Sequence, residues 1–367
     1  MSSKKDKSKS KDKYFMSIAM NLALERNGLT GQNPSVGCVI VKNNKIVSFG
    51  QTGFGGRPHA ESIAINRCKK KDLADSSIYI TMEPCTHIGK TPPCANKIVK
   101  SKIKSVIYSI NDVDKRTSNK AYLFLKSKKI NVLKGLLKSE SKKIYKKYFF
   151  HKKKKLPYVI GKIACSKDNY ISSNKRFITN EHSRNISHIL RYYFDSILIS
   201  SKTANIDNPK LTCRISGLET YSPKRLIIDK NLKINKDSIV INDKNKKKTI
   251  IFHSSKDKKK INYLKSKSIK LAYTQLDSSN NIDLNKVFLK AYNFGIGSIL
   301  IEGGKILTEN ILKKKLINEF YLFKSKKKLG SYGNNNISNF KKKINSFLKK
   351  KENIETFLDG DKITRFY

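Results

Sequence analysis

Acidic residues are scarce in this 367-residue chain: 28 Asp and Glu stand against 78 Lys and Arg, a formal net charge of +50. Such a balance suggests a polyanionic partner, nucleic acid or an anionic membrane. Arginine is scarce as well, ten of the 78 bases, and arginine is the residue whose planar fork reads phosphates and bases bidentately. The lysines are scattered through every segment and form no single aromatic-interleaved patch. The charge therefore reads as a lysine-rich surface, with no specific nucleic-acid site. Long apolar runs are missing too, and none approaches the roughly 20 residues of a membrane span. The first 13 residues, Lys, Ser and Asp without an apolar core, lack the pattern of a secretory signal and read as a disordered, solvated tail. With no such signal, the six cysteines point to reduced thiols and a cytoplasmic setting. Nor does any Gly-x-Gly-x-x-Gly follow a predicted strand, which argues against a Rossmann-type dinucleotide fold.

What is present suits two α/β domains. Tyr14 to Arg26 carries Phe15, Ile18, Ala19, Leu22 and Ala23 at helical spacing, and Asn27-Gly28 ends that helix. Val36 to Val41 and Lys45 to Phe49 read as strands joined by an Asn43-Asn44 hairpin turn. Ser77 to Met82, Lys104 to Ile110 and Ile130 to Leu133 read as further strands. His151-Lys152-Lys153-Lys154-Lys155-Leu156-Pro157 is a charged break and marks a linker over 151–157. A first domain over 14–150 and a second over 158–367 follow. In the second, Tyr158 to Ala164, Ser196 to Ile199, Arg225 to Ile228, Ile239 to Ile241, Thr249 to Phe252 and Ser298 to Ile301 fit buried strands between helices.

The chemistry concentrates in two stretches, His59-Ala60-Glu61 and Glu83-Pro84-Cys85 with Thr91-Pro92-Pro93-Cys94. Zinc takes neutral imidazole and thiolate in a tetrahedron, and a catalytic zinc keeps its fourth position for water. His59, Cys85 and Cys94 supply three such ligands, and Glu61 follows His59 closely enough to act as a base beside the metal. Each ligand stretch sits at a predicted strand-to-helix transition, where free N–H groups favour anionic thiolates. That is the layout by which zinc deaminases activate water against an amino-substituted ring carbon. A structural zinc would take a fourth protein ligand, and His87 stands ready in sequence to provide it. Cys38, Cys68, Cys165 and Cys213 lie in or beside apolar runs and read as buried small hydrophobes.

Zinc deaminases commonly separate their cysteines by two residues; here eight intervene, Thr86-His87-Ile88-Gly89-Lys90-Thr91-Pro92-Pro93. That loop, with Asn33-Pro34-x-Val36-Gly37, resembles the deaminase domain of the bifunctional riboflavin-biosynthesis family, a pyrimidine deaminase joined to a reductase. The resemblance implies a cytidine-deaminase-like three-layer αβα domain, with Asn33 and Lys90 contacting a small phosphorylated pyrimidine. It departs at Thr52, where the family has a histidine, and at Asn119-Lys120-Ala121, where a Gly-x-Gly turn is usual.

From residues alone, the second half offers a strand running into Glu302-Gly303-Gly304-Lys305, a turn that suits a phosphate beneath free N–H groups but is common in proteins. Lys162, Ala164 to Asp168, Phe177-Ile178-Thr179 and the series Thr203, Asp207, Asn208-Pro209, Leu211-Thr212, Arg214 resemble the reductase domain of the same family. This implies a dihydrofolate-reductase-like α/β domain that uses NADPH. Arg191, Leu211, Arg214 and Glu302 would hold the phosphoribosyl substrate; Ala164, Phe177, Thr203, Asp207, Gly304 and Lys305 would hold the cofactor. Lys167, Asn169 and Lys230 depart from the family's pattern, and the loop before Phe177 is short. The resemblance further implies one zinc per chain and a homo-oligomer, dimer or tetramer. Two other readings compete: a nucleic-acid deaminase of the tRNA-adenosine type with an accessory domain, and a zinc-stabilised binding module without catalysis.

Overall fold

The computed structural model describes residues 2–89, 91–173 and 177–367. The chain divides into two compact units, Met1–Lys155 and Leu156–Tyr367, each with its own apolar core.

In the N-terminal unit, α1 (Ser2–Glu25) leads to β1 (Gly37–Lys42) and β2 (Lys45–Gln51), followed by α2 (Ala60–Arg67), α3 (Lys70–Leu73) and β3 (Ser77–Ile80). Then come α4 (Cys94–Lys100), β4 (Ser105–Tyr108), α5 (Lys120–Ser127), β5 (Asn131–Lys134), α6 (Lys138–Ile144) and α7 (Lys146–Lys154). The five strands run in the order β2-β1-β3-β4-β5. β1 pairs antiparallel with β2 and β3, while β3, β4 and β5 are parallel. The hairpin turn holds Asn43 and Asn44 at φ 50° and 60°, the left-handed pair that a two-residue connection requires.

Two glycines bring the helices against this sheet from opposite sides. A Cβ on Gly37 would lie 1.8 Å from the Ala19 carbonyl oxygen, so only glycine lets α1 seat on β1. A Cβ on Gly50 would lie 2.4 Å from the Ala60 carbonyl oxygen, so the start of α2 sits directly on β2. Because Gly50 is registered with Cys38, the neighbour of Gly37, the two glycines face opposite sides of the sheet. The result is helix, sheet, helix.

Two expectations change here. Residues 2–13, expected as a disordered tail, continue α1 toward its N-terminus, and Asp12 accepts a 2.6 Å hydrogen bond from the Tyr79 hydroxyl. His151–Lys154, expected in a linker, form the last turn of α7. Burial explains this: His151 is 3% exposed, with Nε2 3.0 Å from the Gln32 carbonyl oxygen.

The C-terminal unit opens with β6 (Tyr158–Cys165), β7 (Tyr170–Ser173), α8 (Glu181–Tyr192), β8 (Ser196–Ser200), α9 (Ser201–Asp207) and β9 (Lys224–Ile228). It continues with α10 (Ile239–Asn242), β10 (Thr249–His253), α11 (Lys258–Ser266), β11 (Lys270–Tyr273), α12 (Leu284–Asn293) and β12 (Ser298–Ile301). It ends with α13 (Lys305–Lys313), β13 (Glu319–Lys324), β14 (Gly333–Asn336), α14 (Ser338–Phe347), β15 (Lys351–Asn353) and β16 (Lys362–Phe366). Nine strands form one sheet in the order β11-β10-β9-β8-β12-β6-β13-β16-β15. The pairs from β11 through β13 are all parallel, and β16 joins antiparallel to both β13 and β15. β7 and β14 make a separate ribbon.

Ile239–Ile241, expected as a strand, begins the short helix α10 instead. A three-residue apolar run has no period to distinguish the two. Here the Asn208 side chain accepts from the Ile239 N–H at 2.8 Å, and the Asn242 amide donates back to Ser238, which closes the turn.

Candidate active sites

In the N-terminal unit the ligand stretches lie at the starts of two helices. His59 precedes α2 in extended backbone, which leaves its ring free of the helix. Glu61 falls in the first turn and is 4% exposed. Cys85 follows the end of β3, and Cys94 opens α4. His59 Nδ1 lies 3.6 Å from Cys85 Sγ and 3.3 Å from Cys94 Sγ. The three donor atoms all lie within 4.8 Å of one another. A tetrahedral zinc with ordinary bond lengths sets its ligand atoms roughly 3.5–3.8 Å apart. The donor set and its spacing fit zinc.

His87 lines the same cavity but stands outside the donor group, with Nδ1 3.0 Å from Thr117 Oγ1. Among the described residues the group stays at three ligands, the number a catalytic zinc uses.

The Cys94 backbone N–H donates to Cys85 Sγ at 3.3 Å. Hydrogen bonding from the Cys94 thiol, opposed by burial and helped by His59, lowers the Cys85 thiol to about 4, while the same hydrogen bond and burial raise that of Cys94. His59 is raised, chiefly by its hydrogen bond to Cys85. Glu61 is raised by burial, with His59 pulling the other way. A divalent cation among these groups would remove this difference, because a coordinating thiol is deprotonated outright and both cysteines are ligands.

His59, Glu61 and Cys85 line a cavity of about 430 Å³. Asn33 lines it, as expected, while Lys90 lies outside the described residues. Thr52 also lines it, but its hydroxyl accepts from the Val36 N–H at 2.8 Å and so ties down backbone. The far wall holds Asp112, Asp114, Arg116, Tyr148 and Lys152, none of them singled out from sequence. Their one legible signal was a pair of acids just beyond β4. Glu83 fixes that wall: its carboxylate accepts from the backbone N–H groups of Asp112, Asn119 and Ala121 at 3.2, 3.0 and 3.0 Å. The motif's first residue is thus a clamp for the loop and no metal ligand.

In the C-terminal unit a cavity of about 390 Å³ gathers Ala164, Thr203, Asp207, Glu302, Gly304 and Lys305, residues up to about 140 positions apart. Gly304 caps α13 without any side-chain cap, and Lys305, Ile306 and Leu307, whose N–H groups lack helical partners, line the cavity. An uncapped helix start suits a phosphate, which fits the dinucleotide that the resemblance implies.

Glu302 anchors a part-buried polar cluster at this cavity. Arg191 donates to it bidentately at 3.0 and 2.8 Å and to the Thr212 carbonyl at 3.1 Å. Burial alone would raise the Glu302 carboxyl, but the charges of Arg191 and Lys162 outweigh it and hold it at about 2. Arg214 Nε lies 3.1 Å from His188 Nε2, and burial together with the two arginines lowers that imidazole to about 4. Leu211 is buried in left-handed backbone, one residue before Thr212. Phe177 is not brought in: it is half exposed, beneath the Arg184 guanidinium at 4.4 Å. His188 and Lys162 were not named as site residues from sequence.

Residues 157–354 match the family described as the RibD C-terminal domain, and residues 9–110 match the cytidine and deoxycytidylate deaminase zinc-binding region. The riboflavin biosynthesis protein RibD of Aquifex aeolicus is 30% identical over 94% of this chain and 96% of its own length. The chain belongs to the RibD family. A second RibD, from Buchnera aphidicola subsp. Baizongia pistaciae, is 33% identical over 88% of this chain and 89% of its own length. Among solved structures, a diaminohydroxyphosphoribosylaminopyrimidine deaminase/5-amino-6-(5-phosphoribosylamino)uracil reductase from Thermotoga maritima superposes with TM-score 0.80 at 27% identity. It covers 98% of this chain and 99% of that one. Acinetobacter baumannii RibD shares the fold, with TM-score 0.82 at 24% identity over 98% of this chain and 99% of its own. RibD family membership makes the chain a bifunctional enzyme of riboflavin biosynthesis, a zinc deaminase joined to an NADPH-dependent reductase. A nucleic-acid deaminase is not favoured, since the relatives match across both units. No helix among the described residues is long and apolar enough to cross a membrane.

Proposed function

We propose that the N-terminal unit deaminates 2,5-diamino-6-(5-phosphoribosylamino)pyrimidin-4-one by hydrolysis, and that the C-terminal unit then reduces the ribosyl group to ribityl. The observation that carries this reading is the group of three donors, His59, Cys85 and Cys94, with buried Glu61 beside them at one cavity. Held by those donors, zinc supplies Lewis-acid activation of the attacking water. Glu61 takes the water proton as the new C–O bond forms and passes it to the ring nitrogen; it then takes the proton of the new hydroxyl and delivers it to the amino group as the C–N bond breaks, so that ammonia leaves and a carbonyl remains. Burial favours this part, since it raises the carboxyl toward the working pH. Asn33 and Lys90 orient the pyrimidine.

In the second unit NADPH supplies the reducing equivalents. Ala164, Thr203, Asp207, Gly304 and Lys305 hold the cofactor, and Glu302, fixed by Arg191, orients the phosphoribosyl substrate with Leu211 and Arg214. Phe177 takes no part in this proposal. We further place the enzyme in the cytoplasm as a homo-oligomer; its six free thiols suit a reducing compartment. A sedimenting mass of one chain would remove the oligomer.

The test is incubation of zinc-loaded protein with the diaminopyrimidine phosphate, with and without NADPH. Ammonia appears in both, and NADPH is consumed only after deamination. Ammonia without NADPH consumption removes the reductase, and no ammonia at all removes the deaminase.

A further inference from the structure

The described lining of the deaminase cavity carries three acidic groups, Glu61, Asp112 and Asp114, and three permanent cations, Arg57, Arg116 and Lys152. Two of the cations are committed to one acid. Arg116 forks onto Asp114 at 2.9 and 2.6 Å, and Lys152 lies 3.7 Å from the same carboxylate. Arg57 differs. Its Nη1 donates at 2.7 Å to Thr91 Oγ1, a neutral acceptor, and it forms no ion pair among the described residues. The guanidinium is thereby pinned over the loop between the two cysteines. Gly89 of the same loop packs beside its second terminal nitrogen without a side chain: a Cβ there would stand 3.5 Å from Nη2, in ordinary contact. The backbone behind it is extended, at φ −149° and ψ 149°, and the loop is closed by the Gly53 N–H on the Pro58 carbonyl at 2.9 Å.

A phosphate monoester brings about two negative charges at neutral pH. Entering a cavity that already holds three carboxylates, it needs a cation that is not neutralised. A guanidinium held on one side by a hydroxyl keeps the remaining donors of its fork for a phosphate.

We infer that Arg57 is a specificity-determining residue of the deaminase cavity, receiving the ionised phosphate of the pyrimidine substrate. The inference rests on the deaminase reading given above. Its test compares the phosphorylated substrate with its dephosphorylated riboside, in wild type, Arg57→Gln and Arg57→Lys, by ammonia release without NADPH. Bound zinc per chain is measured in each as the control for an intact site. The preference in kcat/KM for the phosphorylated compound falls at least about tenfold in Arg57→Gln, mostly through KM. Arg57→Lys, which keeps the charge and loses the fork, recovers part of it. Inorganic phosphate competes with substrate on the wild type and about tenfold more weakly on Arg57→Gln. A wild type that prefers the phosphorylated compound, with a variant that keeps the full preference, overturns the Arg57 assignment alone. Equal loss on both compounds overturns it too, in favour of a role in loop shape. A zinc-loaded wild type that deaminates neither compound overturns the deaminase reading and this inference with it.

Discussion

Each unit buries one carboxylate at its site, and the two are treated oppositely. Glu61 and Glu302 both suffer the same desolvation, which by itself raises a carboxyl. Beside Glu61 stands an imidazole whose charge opposes that rise without cancelling it. Beside Glu302 stand Arg191, in a bidentate pair, and the Lys162 charge, and these reverse the sign. One environment shifts a carboxyl toward its protonated form; the other holds a fixed anion. Burial sets the cost, and the partner decides the role.

The largest effect that tests this contrast is on Glu61. Glu61→Gln should cut ammonia release about a thousandfold, within the range for losing a general acid–base group. Zinc content should stay at one per chain, and NADPH consumption on the already deaminated intermediate should stay within about twofold. If the variant keeps more than about a tenth of its deaminase rate, Glu61 is no proton carrier and the contrast collapses.

Removing the partner from the other carboxylate is next. Arg191→Ala leaves Glu302 charged and buried, at a cost of about 3–5 kcal/mol. Guanidinium unfolding should show an early transition that abolishes reduction while ammonia release persists. A single unchanged transition would mean that the pair contributes nothing net.

Glu83→Ala is smaller. It strands three backbone N–H groups of the loop lining the deaminase cavity and should cost about 2 kcal/mol. KM should rise with zinc content unchanged, and loss of zinc instead would make Glu83 part of the metal site.

The gentlest test is pH. Glu302 is lowered in the folded state, so its stabilisation is complete above its unfolded value of about 4.3 and fades as pH falls toward about 2. Denaturant titration of the reductase unit should lose about 1–2 kcal/mol from this group by pH 3. Glu302→Gln should flatten that part of the slope, and an equal slope in both proteins would assign the acid sensitivity elsewhere.

The same contrast explains what could be read from the chain. The metal centre was legible because its parts are local: His59 and Glu61 share one turn, and Cys85 and Cys94 bracket one loop, each at a strand-to-helix transition that hydrophobic pattern reveals. The reductase cluster joins Arg191 to Glu302 across 111 positions, and no local pattern marks His188 or Lys162 as partners. Only the resemblance brought Thr203, Asp207 and Gly304 together beforehand. Phe177 packs beneath the Arg184 guanidinium, a contact that sequence spacing does not indicate. The strand order was beyond periodicity as well: β12 lies between β8 and β6, neither its neighbour in the chain. The lysine-rich C-terminal stretch gave little sign of β15 and β16, which take their place by backbone pairing.

That placement of β12 works as a ruler. Ile301 is registered with Gly161 of β6, so Glu302 and Lys162 each follow one residue beyond that pair, and both line the same cavity. Loops between these strands can lengthen without touching the match, since neither strand's phase depends on them. One residue inserted within β12 would leave the strand paired and the core closed, yet turn Glu302 to the opposite face. Such a protein would fold, pass any test of secondary structure, and present an apolar side chain where its anion belongs.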